Sequence, residues 1–142
     1  MPNECLNTLK LVATKETLDE IEKSNFSFSY FFPAPENAPR EWFIENWCAN
    51  REAKDIEFER KDDQSLYVKY TTTYTLPITF LKKLVVKFPE LYIFNQYAIE
   101  YTDNGIVILY MDNDEVKEKE FKWFDPPNLD YVKGVRDGGG WC

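Results

Sequence analysis

The chain has 142 residues, 44% of them hydrophobic and 17% aromatic, and its 17 basic and 25 acidic side chains leave a formal charge of −8. A single domain of this size buries roughly two thirds of the surface its unfolded chain exposes, so a core can form without disulfide or metal. The acidic balance argues against direct binding of nucleic acid, which needs a basic stripe, and against binding to an anionic membrane.

There is no histidine. That excludes Ser-His-Asp and Cys-His catalysis, histidine-zinc sites and histidine acid-base chemistry. Neither metal nor cofactor is expected. Cys5, Cys48 and Cys142 are odd in number and form no C-x-x-C motif. They are expected as reduced thiols in a cytoplasm, here that of a host cell. No apolar run approaches the ~18 residues of a membrane helix, and no signal pattern is present at the N-terminus.

Residues 5–13 alternate as a strand. Thr14 suits an N-cap, and Leu18 and Ile21 mark the buried side of a helix over about 15–24. Residues 26–32 are aromatic-rich, and Pro33-Ala34-Pro35 ends any strand there. A short helix is expected around Arg40–Asn46, followed by a tight, irregular turn. Ile56 and Phe58 alternate with acidic residues as a half-exposed strand, and Asp62–Ser65 turns the chain. Leu66, Val68, Tyr70, Thr72 and Tyr74 share one face of a long strand. Pro77 suits a first helical position, and Ile78, Leu81, Leu84, Val85 and Phe88 follow at helical spacing. Residues 91–101 form a further strand. Asp103-Asn104-Gly105 is the strongest hairpin signal, and 106–111 form the return strand. Asp112-Asn113-Asp114 turns again, and Lys119–Phe124 suits a last, edge-like strand. This order predicts an α+β domain over 1–133: a ferredoxin-like split β-α-β antiparallel sheet with two helices on one face, an inserted loop and an extra C-terminal strand. Residues 134–142 are expected as a flexible tail.

Two blocks stand out: Trp42-Phe43-Ile44-Glu45-Asn46-Trp47, and Tyr70-Thr71-Thr72-Thr73-Tyr74-Thr75-Leu76-Pro77. In order and spacing the chain resembles the YubB-type ferredoxin-like domain of plasmid and phage proteins. That family carries a tryptophan, then Asn-Trp-Gly-Thr-Lys-Trp-Asp, then a strand ending in Phe-x-Thr-Ala-Trp-Ser-Pro-Pro. Trp42 and Asn46-Trp47 match the first element. Tyr70, Thr72, Tyr74, Thr75 and Pro77 match the second conservatively, and Phe88-Pro89 and Tyr97…Glu100 also fit. The similarity covers roughly residues 40–110. Cys48 stands at the family's Gly, and Ala49-Asn50-Arg51-Glu52 replaces Thr-Lys-Trp-Asp. The resemblance implies the fold and a viral or mobile-element origin, and no established activity.

Trp42, Asn46, Trp47, Arg51, Tyr70, Thr72 and Tyr74 are the candidate binding residues. Rings beside an amide and a hydroxyl suit a base, a nucleotide or a peptide side chain. Equally, the tryptophans can plug the open side of a sheet while Asn46 satisfies loop backbone, the commoner use of such residues. Cys48 lacks a histidine, and Arg51 is the one nearby cation that could activate it. Asp112-Asn113-Asp114-Glu115 lacks the Gly and closing Glu of a calcium loop, with Lys117 and Trp123 in those places. Asp137-Gly138-Gly139-Gly140 lacks the Lys-Ser/Thr of a phosphate loop. Glu57, Glu59, Asp62 and Asp63 form an acidic strand end, either a solvated face or a phosphate mimic.

Three functions follow. The first is a non-catalytic binding protein that counteracts a host defence system, by binding a host protein or sequestering a small nucleotide signal. The second is an acidic nucleic-acid mimic that inhibits a host nuclease. The third is a small nucleotide-processing enzyme using carboxylates, with Glu100 and Tyr97 as its best groups. A homodimer is compatible with each.

Overall fold

The structure is a computed structural model that describes residues 4–99, 103–125 and 128–136, the last stretch and 123–125 by backbone alone. Its elements in chain order are β1 (Glu4–Val12), α1 (Lys15–Lys23), α2 (Phe28–Phe31), α3 (Arg40–Trp47), β2 (Lys54–Asp62), β3 (Ser65–Thr73), α4 (Ile78–Lys87), β4 (Tyr92–Ile99), β5 (Asn104–Asp112), β6 (Glu115–Asp125) and β7 (Asn128–Arg136). The strands form one sheet in the order β2-β3-β1-β4-β5-β6-β7. Every neighbouring pair is antiparallel. The chain is therefore an α+β fold, with four helices among the described residues.

The sheet has one covered face and one open face, because side chains alternate along a strand. Cys5, Asn7, Leu9 and Leu11 of β1 are buried, while Leu6 and Thr8 between them are exposed. Leu66, Val68 and Tyr70 of β3, Ile93 and Asn95 of β4, and Val107 and Leu109 of β5 continue the buried side. Leu18 and Ile21 of α1, Phe28 of α2, Trp47 of α3 and Leu81, Leu84 and Val85 of α4 belong to the same apolar cluster. α1 starts as its sequence demands, with the Thr14 hydroxyl accepting from the Thr17 amide. α4 runs from Ile78 with Pro77 at its cap. It reaches β6 through Lys82, which meets the buried Glu118 carboxylate at 2.6 Å.

Four local expectations are corrected. The aromatic run at 26–32 contains no strand. Phe28–Phe31 is one turn of helix, capped by the Ser27 hydroxyl, which accepts from the Tyr30 amide, and by the Glu52 carboxylate, which accepts from the Phe28 amide at 2.6 Å and the Ser29 amide at 3.1 Å. Tyr74 has left the strand: its φ is +70° and it is 54% exposed. Asn104-Gly105 is no turn, since Asn104 pairs with Ala98 and Gly105 with Tyr97 inside the β4–β5 ladder. The second expected turn does form between β5 and β6, as the two residues Asn113-Asp114, with φ of +52° and +64° between the paired Asp112 and Glu115. Both positive values fit the hairpin turn that matches strand twist. Finally, β6 is not an edge strand. β7 flanks it, and residues 137–142 lie outside the described residues.

Gly105 is required by close approach. A Cβ there would collide with the Phe121 carbonyl of β6 and come within 2.9 Å of the Tyr97 hydroxyl. Gly105→Ala is therefore expected to destabilise the domain by about 1–3 kcal/mol, the usual cost of overpacking. A urea denaturation curve measures it, and a midpoint equal to wild type would contradict this packing.

Candidate functional site

The first aromatic block forms a corner over the covered face. The Trp47 ring makes edge contacts with Phe28 at 5.5 Å, Phe43 at 5.0 Å and Trp42 at 5.8 Å. Its indole N–H donates to the Phe32 carbonyl at 3.0 Å. The Asn46 amide donates to the Trp42 carbonyl at 2.8 Å, and its oxygen accepts from Lys83 at 2.7 Å. α3 then ends in a left-handed residue, Cys48, with φ +59° and ψ +36°. Glycine takes that conformation without strain, and a side chain there costs roughly 1–2 kcal/mol. Glu52, four residues on, closes the corner by capping α2. Cys48 is buried and disulfide-bonded, which corrects the expectation of a reduced thiol and removes it as a nucleophile.

The second block feeds a buried polar ladder across β3, β1 and β4. The Tyr70 hydroxyl donates to Asn95 Oδ1 at 2.5 Å. Asn95 Nδ2 donates to Asn7 Oδ1 at 3.0 Å, and Asn7 Nδ2 donates to Thr72 Oγ1 at 3.1 Å. Thr72 Oγ1 donates to the Thr75 carbonyl at 2.6 Å, fixing the chain where it turns at Tyr74. Cys5 lies at the end of this ladder, with its thiol 3.5 Å from Asn7 Oδ1. Burial pushes the Cys5 thiol up to about 12, against weaker lowering by its bonds to Thr72 and Asn7. Burial also lifts the Tyr70 phenol well above its ordinary value. Both groups are held neutral and inert.

The two blocks are linked through other rings. Tyr70 packs on Phe26 at 4.7 Å, Phe26 on Phe28 at 6.0 Å, and Phe28 on Trp47. The Trp42 ring and the polar side-chain atoms of Asn46, Trp47, Tyr70 and Thr72 are thus spent within the fold. Tyr74 and Arg51 are exposed apart from that cluster. Tyr97 is buried on the covered face, and Glu100 lies outside the described residues. Lys61 pairs with Glu59 at 2.7 Å, beside Asp62 and Asp63 on the acidic strand end. Arg60, from the same strand, meets Asp19 and Glu22 of α1 at 3.1 and 2.7 Å. Among the described residues, no cluster of three metal-ligating side chains occurs and no helix is long and apolar enough to cross a membrane.

The open face of the sheet was not singled out by sequence. Its register sets Glu59, Tyr67, Lys10 and Phe94 in one row, and Glu57, Lys69, Thr8 and Gln96 in the next. An open groove of about 600 Å³ lies over this grid, lined by Thr8, Glu57, Phe58, Glu59, Tyr67 and Lys69. The ammonium groups of Lys10 and Lys61 stand 5.8 and 5.6 Å from the centre of the Tyr67 ring. Lys10 and Lys69 form no ion pair with any described residue. The sequence carried a weak signal for this surface: Tyr67 and Lys69 alternate with the buried Leu66, Val68 and Tyr70, so they face away from the core.

Compared with known proteins, the chain matches no family model, no curated protein and no solved structure.

Two measurements check the covered face. Trp47→Ala removes three ring contacts and a buried indole bond, so a loss of about 3–5 kcal/mol in unfolding free energy is expected. A melting temperature near wild type would show that the corner is not part of the core. The second concerns pH. Cys5 holds its proton in the folded state to a higher pH than in the unfolded chain, where the ordinary value is 9.0. Its share of stability is complete below pH 9 and is lost as the pH rises from 9 toward 12, with Tyr70 acting in the same sense. Melting curves across that range should fall with pH, and less steeply for Cys5→Ala. Identical slopes would contradict the burial of this thiol.

Proposed function

We propose that the chain is a ferredoxin-like, non-catalytic binding protein of viral or mobile-element origin that captures a small nucleotide-like ligand on its open sheet face, removing a host signal. The strand order β2-β3-β1-β4, with helices after β1 and β3, supports the ferredoxin-like part of this reading. The origin rests on the resemblance carried by Trp42, Asn46-Trp47 and the Tyr70–Pro77 strand end.

One observation carries the ligand class: Tyr67 and Lys69 line the groove, and the Lys10 and Lys61 ammonium groups stand over the Tyr67 ring. The groove volume falls within the roughly 300–1,000 Å³ of small-molecule sites. A base can stack on the ring while its phosphate displaces water from the ammonium groups, and Glu57 and Glu59 can accept from amino or ribose hydroxyl donors. The interspersed lysines disfavour phosphate mimicry by this strand end, because a mimic needs an unbroken acidic surface. The Trp42–Trp47 and Tyr70–Tyr74 blocks then serve as the scaffold behind the site.

Isothermal titration with nucleoside mono-, di- and triphosphates tests the reading. Saturable binding is expected, with the nucleotide recovered chemically intact. Tyr67→Ala or Lys69→Glu should weaken it at least about tenfold, in line with the usual loss of a base stack, with an unchanged melting curve. The reading fails if wild type binds no nucleotide, or if Tyr67→Ala binds as well as wild type.

A further inference from the structure

The open face carries a second aromatic platform. Tyr92 of β4 and Tyr110 of β5 stack with ring centres 5.7 Å apart and planes inclined by 21°. Tyr92 is 46% exposed. It pairs in register with Val12, which pairs with Ser65, so it shares the face of Tyr67. Tyr67 on β3 and Tyr92 on β4 are two strands apart and offset by two residues along them, since Tyr67 pairs with Lys10 and Tyr92 with Val12, about 12 Å at the usual spacings. Between them runs β1, where Lys10 stands opposite Tyr67 on one side and Phe94 on the other. The surface thus presents Tyr67 and Lys10 in one row and the Tyr92–Tyr110 pair in the row two residues on, diagonal to Lys10. Beyond the pair, Lys117 is tied to Glu115, whereas Lys119 is exposed and makes no ion pair with any described residue.

Resting on the nucleotide reading above, we infer that the ligand carries two bases: a dinucleotide whose first base stacks on Tyr67, whose second stacks on the exposed side of Tyr92, and whose intervening phosphate meets Lys10. Charge complementarity argues for this occupant over an apolar one. Lys10 stands on the intervening strand, beside Tyr67 and diagonal to Tyr92, within reach of a phosphodiester that joins bases on the two rings. The net charge of −8 disfavours a long polyanion, which would extend beyond the lysines over the acidic remainder of the protein.

The test compares adenosine 5′-monophosphate with the 5′-phosphorylated diadenosine dinucleotide by titration calorimetry, in wild type, Tyr67→Ala, Tyr92→Ala and Lys10→Gln. The dinucleotide should bind at least about tenfold more tightly than the monophosphate, the worth of one added base stack. Tyr92→Ala should erase that advantage while leaving the monophosphate affinity unchanged, and Lys10→Gln should reduce it. Tyr92 lies outside the core, so its substitution should keep the melting temperature, measured alongside. If the monophosphate and dinucleotide bind equally, or Tyr92→Ala keeps the preference, the two-base site is overturned while the nucleotide reading stands. If neither ligand binds wild type, both are overturned.

Discussion

A wide antiparallel sheet has to bury one face, and the two longer helices, α1 with nine residues and α4 with ten, are short for that task. The remainder of the covered face falls to aromatic side chains. Phe26, Phe28, Phe31, Phe32 and Phe80 interlock at centroid distances of 4.3 to 6.4 Å, and Trp47 closes the cluster from α3. Rings fill large irregular volumes, and edge-to-face pairs add about 0.5–1.5 kcal/mol each beyond burial. The 40–52 segment is best understood through this constraint. The Trp42, Asn46 and Trp47 side chains, the left-handed Cys48 and the capping Glu52 each fix one part of the corner that brings α3 down onto the sheet.

Beneath the aromatic layer lies a hydrogen-bonded ladder of two asparagines, a tyrosine and a threonine. Buried amides need partners, and here side chains of β3, β1 and β4 supply them across the strands. The ladder therefore specifies register. A one-residue slip of β1 against β3 or β4 would turn Asn7 to the open face and leave Asn95 and Thr72 without it. Because the polar groups are satisfied inside, the covered face has little left with which to hold a ligand. The open face, with Tyr67, Tyr92 and Lys10, is where the proposed nucleotide binding would take place. A ligand bound there, as proposed, would meet a face pre-organised by the hydrogen bonds of a seven-stranded sheet, at little cost in ordering entropy.

Much of the fold was legible in the chain because it depends on local periodicity. β1, β2, β3, α1 and α4 follow from alternation and 3.6-residue spacing, and the Thr14 cap follows from hydroxyl chemistry at a helix start. Misreadings occurred where a local signal was answered by a distant partner. The 26–32 run became a helical turn because the Glu52 carboxylate, two dozen residues away, satisfies its amides. Asn104-Gly105 carries a turn signature, yet the glycine is needed where the β6 backbone passes close. Tyr74 has strand parity with Tyr70, but Thr72 bonds the Thr75 carbonyl and turns the chain before Tyr74 can join the face.

By itself the sequence determined the class of fold, the lack of any histidine chemistry, and which residues are too apolar to stay in water; these follow from composition and from patterns a few residues long. Only the tertiary structure decided what the conspicuous residues are for. Whether Trp47 and Tyr70 line a pocket or fill a core depends on which side of the sheet the helices cover, and whether Tyr67, Lys10, Lys69 and Tyr92 form one surface depends on strand order. Neither is encoded within any short window of the chain, because residues 10, 67 and 92 become neighbours only when three strands pair in one register.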